Sequence, residues 1–177
     1  EEDIQASNLL RLALFTGMRR GELFKLKWKD INFIRKNISI KDPKSGLDET
    51  IPLNEMALSV LNNHKKEESE FVFPGLRGNQ RKTTPRSLRR IIKKAGLKDF
   101  RPFQGLRHAY ASTLASSGKV DLYTLQKLLT HKSPLMTQRY AHLSNEAMME
   151  ASNVISEITK SETENIKLDR HKKRKGE

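Results

Sequence analysis

Residues 37–53 read NISIKDPKSGLDETIPL, and this stretch decides the fold class. Ile38 and Ile40 alternate with polar neighbours, Ile51 and Leu53 do the same, and Asp42-Pro43-Lys44-Ser45-Gly46 lies between them. Side chains on a strand point to alternate faces, so period-two patterning on both sides of a turn segment predicts a β-hairpin. The hairpin belongs to a small sheet between Ile31 and Leu53, and the flanking sequence reads helical. The expected class is therefore mainly α with a small antiparallel β-sheet (α+β).

Upstream, Ile4, Leu9, Ala13 and Leu14 recur at helical spacing over Ile4 to Phe15, and Gly17 stands where a C-terminal cap belongs. A second short helix is expected from Arg20 to Lys27. Downstream, Asn54 is an N-cap for a helix carrying Met56, Leu58 and Leu61. Phe71-Val72-Phe73-Pro74 is a short extended piece, and a polar loop from Arg77 to Thr84 leads into a helix around Leu88, Ile91 and Ile92. Three further helices are expected at Gly105–Ser117, Asp121–Leu129 and Asn145–Ile158. From Lys160 the chain is polar and ends in Lys172-Lys173-Arg174-Lys175. The division that follows is a domain over 1–159 and a polar, basic, disordered tail over 160–177.

At 177 residues the chain has the length of about one domain. It can bury a core without disulfides or a metal, and it has no cysteine for either purpose. No apolar run approaches a membrane span, and the acidic start Glu1-Glu2-Asp3 does not resemble a signal peptide. Thirty-four Lys and Arg against 21 Asp and Glu give a net charge of +13. The tail from Lys160 holds seven bases and four acids, so +10 of the excess lies in the body. A basic excess spread over a domain fits a phosphate-rich partner and says nothing yet about activity.

Five local signals follow in order. Thr16-Gly17-Met18-Arg19-Arg20-Gly21-Glu22 lies between the first two helices, and Lys44-Ser45-Gly46 occupies the hairpin turn. Gln104-Gly105-Leu106-Arg107-His108 opens a helix, and Leu128-Leu129-Thr130-His131 closes the next one. Tyr140 follows within Thr137-Gln138-Arg139-Tyr140-Ala141-His142. In order and spacing these resemble the catalytic set of the tyrosine site-specific recombinases, the phage integrase family, over about residues 3 to 158. The resemblance implies site-specific DNA recombination, by strand cleavage and rejoining through a covalent 3′-phosphotyrosine intermediate.

The residue roles it implies agree with what the reaction needs. Attack on a phosphodiester adds charge to its non-bridging oxygens, and Arg19 and Arg107 match the two clamping arginines. Guanidiniums are suited to this because they stay protonated and present a fixed fork of donors. Tyr140 matches the nucleophile, whose phosphoenzyme preserves bond energy until religation without metal or ATP. Tyr110 and Tyr123 read instead as half-buried aromatics, with Tyr110 in the core. Lys44 matches the lysine that protonates the leaving oxygen, with Lys41 as a competitor on the same hairpin. His131 matches the position that hydrogen-bonds the scissile phosphate, a buried structural histidine being its rival reading. Glu22 is expected to orient Arg19, and His142 to be a local structural or phosphate-facing residue.

One position departs from the family. Three residues before the second arginine the family carries histidine or lysine, and here the residue is Gln104. Glutamine donates and accepts hydrogen bonds but takes no proton at neutral pH. Gln104 is expected to orient the phosphate or the tyrosine hydroxyl in a slower enzyme, which Gln104→His would accelerate. His108, adjacent to Arg107, points about 100° away from it on a helix and is expected to be a packing residue bonded to Glu22 or backbone. His108, His131 and His142 lack metal-ligand spacing, so no metal and no cofactor is expected.

The partners implied are double-stranded DNA, a homo-tetramer on it, and accessory DNA-bending proteins, in the cytoplasm with the nucleoid. The helix at Asn145–Ile158 is the candidate for exchange between neighbours, or it packs on its own domain. Full-length relatives add an N-terminal DNA-binding domain, so this chain alone is expected to bind DNA weakly and with strong salt dependence. Two other readings stay open. A type IB topoisomerase shares the chemistry, and a recombinase-derived DNA-binding module would have lost it at Gln104.

Overall fold

The computed structural model describes residues 2–41, 48–64, 68–144 and 153–154. The hairpin forms where its alternation placed it. Strands β2 (Asn37–Ile40) and β3 (Glu49–Pro52) pair antiparallel with Ile38 opposite Ile51, and β1 (Ile31–Asn32) joins the other edge of β2. Ile38 and Ile51 are buried, so the sheet turns this face onto the helices. The turn carrying Lys44 lies outside the described residues, as do the 160–177 tail and, apart from residues 153–154, the helix expected at Asn145–Ile158.

Helix α1 (Glu2–Thr16) lies at the centre of the larger core, packed against α3 (Glu55–Asn62), α4 (Arg86–Lys94) and α5 (Pro102–Ser116). Its Ala6, Leu9, Leu12 and Ala13 are fully buried, joined by Leu23, Ile38, Leu61, Phe73 and Leu88 from the surrounding elements. Asn54 caps α3 as its residue type dictates, its side chain accepting from the Ala57 N–H at 2.9 Å. A second, smaller cluster gathers Ala111 and Ala115 of α5, Leu125 of α6 (Leu122–Leu128), Leu129 and Tyr140. α5 is long enough to serve both clusters, and the candidate site forms at the seam between them.

Several boundaries differ from the sequence expectation. The second helix, α2 (Arg20–Lys25), stops two residues before Lys27. Leu26 is already extended, because Lys27 pairs across to Phe71 and the Val72 N–H donates to the Leu26 carbonyl at 2.9 Å. α5 starts at Pro102, not Gly105; proline suits a first helical position, where its missing N–H has no intrahelical partner to lose. A short helix α7 (Pro134–Gln138) and a 3-10 turn (Ala141–Ser144) flank Tyr140, in a region too short for periodicity to announce. Tyr123, expected half-buried, is 67% exposed with the Lys127 ammonium 5.4 Å from its ring centre.

Gly17 ends α1 in the left-handed conformation, at φ +64°, which removes any Cβ penalty. Tyr110 presses directly on it: a Cβ at position 17 would lie 2.5 Å from the Tyr110 ring. Gly17→Ala combines left-handed strain with overpacking, and about 2–4 kcal/mol should be lost in denaturant unfolding.

Candidate active site

Two helix C-termini build the site. α1 ends at Gly17, and α6 ends in a hydrogen-bond pattern that closes the helix with a left-handed residue. There the Thr130 N–H donates to Lys127 O at 3.0 Å and the His131 N–H to Gln126 O at 3.0 Å, with Thr130 at φ 49°. This is a glycine position in most helices, and a β-branched residue there costs roughly 1–3 kcal/mol. The ends of both helices expose backbone carbonyls that no further turn satisfies, and these carry the negative end of the helix dipole.

The two arginines are seated on those carbonyls. Arg107, on α5, donates from Nη1 to Gly17 O at 2.6 Å and from Nη2 to Leu129 O, so it joins the ends of α1 and α6. Arg19 donates from Nη2 to Thr130 O at 2.9 Å and from Nη1 to the Thr130 hydroxyl at 2.5 Å. Glu22 completes the set, its Oε1 accepting from Arg19 Nη1 at 2.8 Å and its Oε2 from the Arg19 backbone N–H at 2.7 Å. One carboxylate thus caps α2 and fixes the guanidinium. Residues 111 positions apart in sequence are held within one hydrogen bond by this arrangement. Burial and the adjacent Arg19 charge lower the Arg107 guanidinium to about 10, opposed by Glu22 and Tyr140, so it stays cationic at neutral pH.

His131 follows Thr130 out of the same helix end. Its Nδ1 lies 2.8 Å from the buried Thr137 hydroxyl on α7, and its carbonyl accepts from Gln126 at 3.0 Å. With Thr137 donating to Nδ1, the neutral ring carries its proton on Nε2. Burial first, then the charges of Arg107, Arg19 and Arg139, hold His131 down to about 4. The sign follows. In the unfolded chain it takes up a proton near its ordinary 6.5, whereas the folded chain resists protonation until about 4. Acidification across that window therefore destabilises the fold. His131→Gln should lose less stability than wild type between about pH 7 and about pH 4, read as melting temperature against pH.

Tyr140 sits between α7 and the 3-10 turn, 6% exposed, its ring packed in the smaller cluster. Its hydroxyl lies 3.0 Å from His108 Nδ1, and the two rings meet edge-on at 5.5 Å and 72°. Burial raises the phenol above its ordinary range, while the Arg139 and Arg107 charges pull the other way. His108 differs from expectation in its partner: its hydrogen bond goes to Tyr140, not to Glu22, and its ring packs edge-on against Tyr140 while the residue stays exposed. Gln104 and His108 are four residues apart and share a helix face. Gln104 itself is exposed on the first turn of α5. His142 is exposed on the 3-10 turn. Tyr110 is partly buried against Gly17 and the smaller cluster.

The family model described as phage integrase family matches residues 1–147. A tyrosine recombinase XerA of Pyrococcus furiosus is 35% identical over 152 residues, covering 81% of this chain and 52% of its own length. A tyrosine recombinase XerC of Corynebacterium glutamicum is 34% identical over 163 residues, covering 86% and 51%. The chain thus spans about half the length of the curated relatives it matches. A crystal structure of XerH site-specific recombinase bound to its difH substrate superposes with a TM-score of 0.67 at 26% identity, over 87% of this chain and 48% of that one.

Proposed function

The chain belongs to the phage integrase family, and from that premise we propose that it breaks and rejoins DNA site-specifically through a 3′-phosphotyrosine at Tyr140. The observation that carries this is the pairing of Arg19 and Arg107 on one helix end, the Leu129 and Thr130 carbonyls. Two like charges are brought together there at an electrostatic cost, which an anionic phosphate would relieve. The clamp polarises phosphorus and stabilises the charge that develops on its oxygens, while Tyr140 supplies the attacking oxygen. His131 supplies a neutral donor, Lys44 protonates the leaving 5′-oxygen, and Glu22 holds Arg19.

Double-stranded DNA is the proposed partner. The exposed Arg86, Arg89, Arg90, Lys93 and Lys94 of α4 support it, as does the difH complex of the XerH relative. Binding through such contacts weakens steeply with salt, because each neutralised phosphate releases counterions. We assign residues 1–159 to the catalytic domain and 160–177 to a basic tail, and the working form to a homo-tetramer on DNA. Accessory DNA-bending proteins and a nucleoid-associated, cytoplasmic setting follow from the same reading. Among the described residues no helix is long and apolar enough to cross a membrane.

The deciding experiment mixes the protein with nicked suicide duplexes, a four-way junction and DNA flanking its own gene, followed by denaturing gels. A covalent adduct, mapped by peptide mass to Tyr140, is the expected result. Binding without an adduct would make the chain a non-catalytic DNA-binding module. Relaxation of supercoiled DNA lacking any specific site would indicate type IB topoisomerase activity.

A further inference from the structure

The proposed reaction needs a group to take the proton of Tyr140, and the residue expected there, Gln104, cannot. α5 places a second side chain on the same face one turn later. His108 Nδ1 is 3.0 Å from the Tyr140 hydroxyl, within direct proton-transfer reach, and its ring is exposed whereas Tyr140 is 6% exposed. The imidazole is therefore both partner of the buried hydroxyl and its link to solvent. We infer that His108 is the proton acceptor for Tyr140, taking from one helical turn away the task that Gln104 cannot perform. The inference rests on the phosphotyrosine reading above.

The chemistry balances with groups present in the chain and the DNA. Neutral His108, with its proton on Nε2, accepts a hydrogen bond from Tyr140 at Nδ1. As a lone pair of the tyrosine oxygen forms the O–P bond, the hydroxyl proton moves to Nδ1. The P–O5′ bond breaks with its electron pair on the leaving oxygen, which takes a proton from Lys44 or water. The imidazolium then returns to neutrality by releasing its Nε2 proton to solvent. In religation the 5′-hydroxyl attacks and returns its proton to Lys44 or water. The P–O bond to tyrosine breaks, and Nδ1 gives its proton to the departing phenolate as Nε2 takes one from solvent. The charged groups around this pair are Arg107 on α5 and Arg139 beside Tyr140, and both favour the phenolate. Burial opposes ionisation of Tyr140, which is why an adjacent acceptor matters.

The test compares adduct formation by wild type, His108→Asn and His108→Ala on a suicide substrate, with DNA affinity and melting temperature measured in parallel. Asparagine offers an oxygen close to the Nδ1 position, so it can hold the hydroxyl but cannot take its proton. Both variants should cleave about 10²–10⁴-fold more slowly than wild type with unchanged DNA affinity, the usual contribution of a general base. Added imidazole should partly restore the alanine variant, whose vacated position is open to solvent. An asparagine variant as fast as wild type would overturn the inference, reducing His108 to a hydrogen-bond partner. An alanine variant that imidazole does not restore would overturn it too. No adduct from wild type would instead remove the phosphotyrosine reading itself, an outcome that the wild-type lane separates from the other two.

Discussion

Tyr140→Phe should abolish the covalent protein–DNA adduct and leave DNA affinity and melting temperature almost where they were. The ring is the part of Tyr140 that packs, within the cluster that holds Ala111, Leu125 and Leu129, and phenylalanine keeps all of it. What is lost is the hydroxyl and its bond to His108, whose ring water can solvate. One such bond contributes about 0.5–1.5 kcal/mol, so a small shift in melting is the most that should appear. Activity, by contrast, has nothing to fall back on. Tyr123 lies on the surface beneath Lys127, and the Tyr110 ring is pinned against the α-carbon of Gly17. The measurement is adduct yield on a suicide duplex, with binding read separately by gel shift. An adduct surviving in the phenylalanine variant would move the nucleophile elsewhere. Tyr110 would be the first alternative, because the Arg107 charge acts on it as well.

Much of the scaffold under this site was legible. Period-two patterning located the hairpin, and the residue types at Gly17 and Asn54 marked a helix end and a helix start that the structure shows. These are local rules, satisfied by a residue and its near neighbours. The parts that escaped depend on distant partners. Nothing in the type of Thr130 announces a left-handed backbone; a β-branched residue argues against it. The conformation is tolerated where Arg19 binds both its hydroxyl and its carbonyl, a contact across more than half the chain. The same holds for the contact between His108 and Tyr140, formed only when α5 and the segment after α7 pack together. The four-residue step from Gln104 to His108 was available in the sequence as a shared helix face. It gained meaning only once Tyr140 was seen to lie against that face.

Arg107→Lys should be the most damaging change that preserves charge, lowering cleavage on the order of 10²–10³-fold, the usual cost of removing one preorganised donor at a developing anion. A lysine ammonium is a single point of charge, whereas the arginine fork reaches Gly17 O and Leu129 O together and keeps further N–H donors available. Those two carbonyls also give the substitution a structural cost. With Arg107→Met both lose a charged donor, and each belongs to a helix end that has no further turn to satisfy it. Stability should fall by about 1–3 kcal/mol, the cost of stranding buried acceptors, read as a shift in denaturant midpoint. Arg19 provides the contrast. Its side chain is 36% exposed and Glu22 remains to cap α2 without it, so Arg19→Met should lose comparable activity at smaller cost in stability. Relief of the charge repulsion between the two arginines offsets part of the loss in either variant. Because that relief is common to both variants, equal stability losses would mean that Arg19's bonds to Thr130 hold the seam as firmly as Arg107's bonds to Gly17 and Leu129.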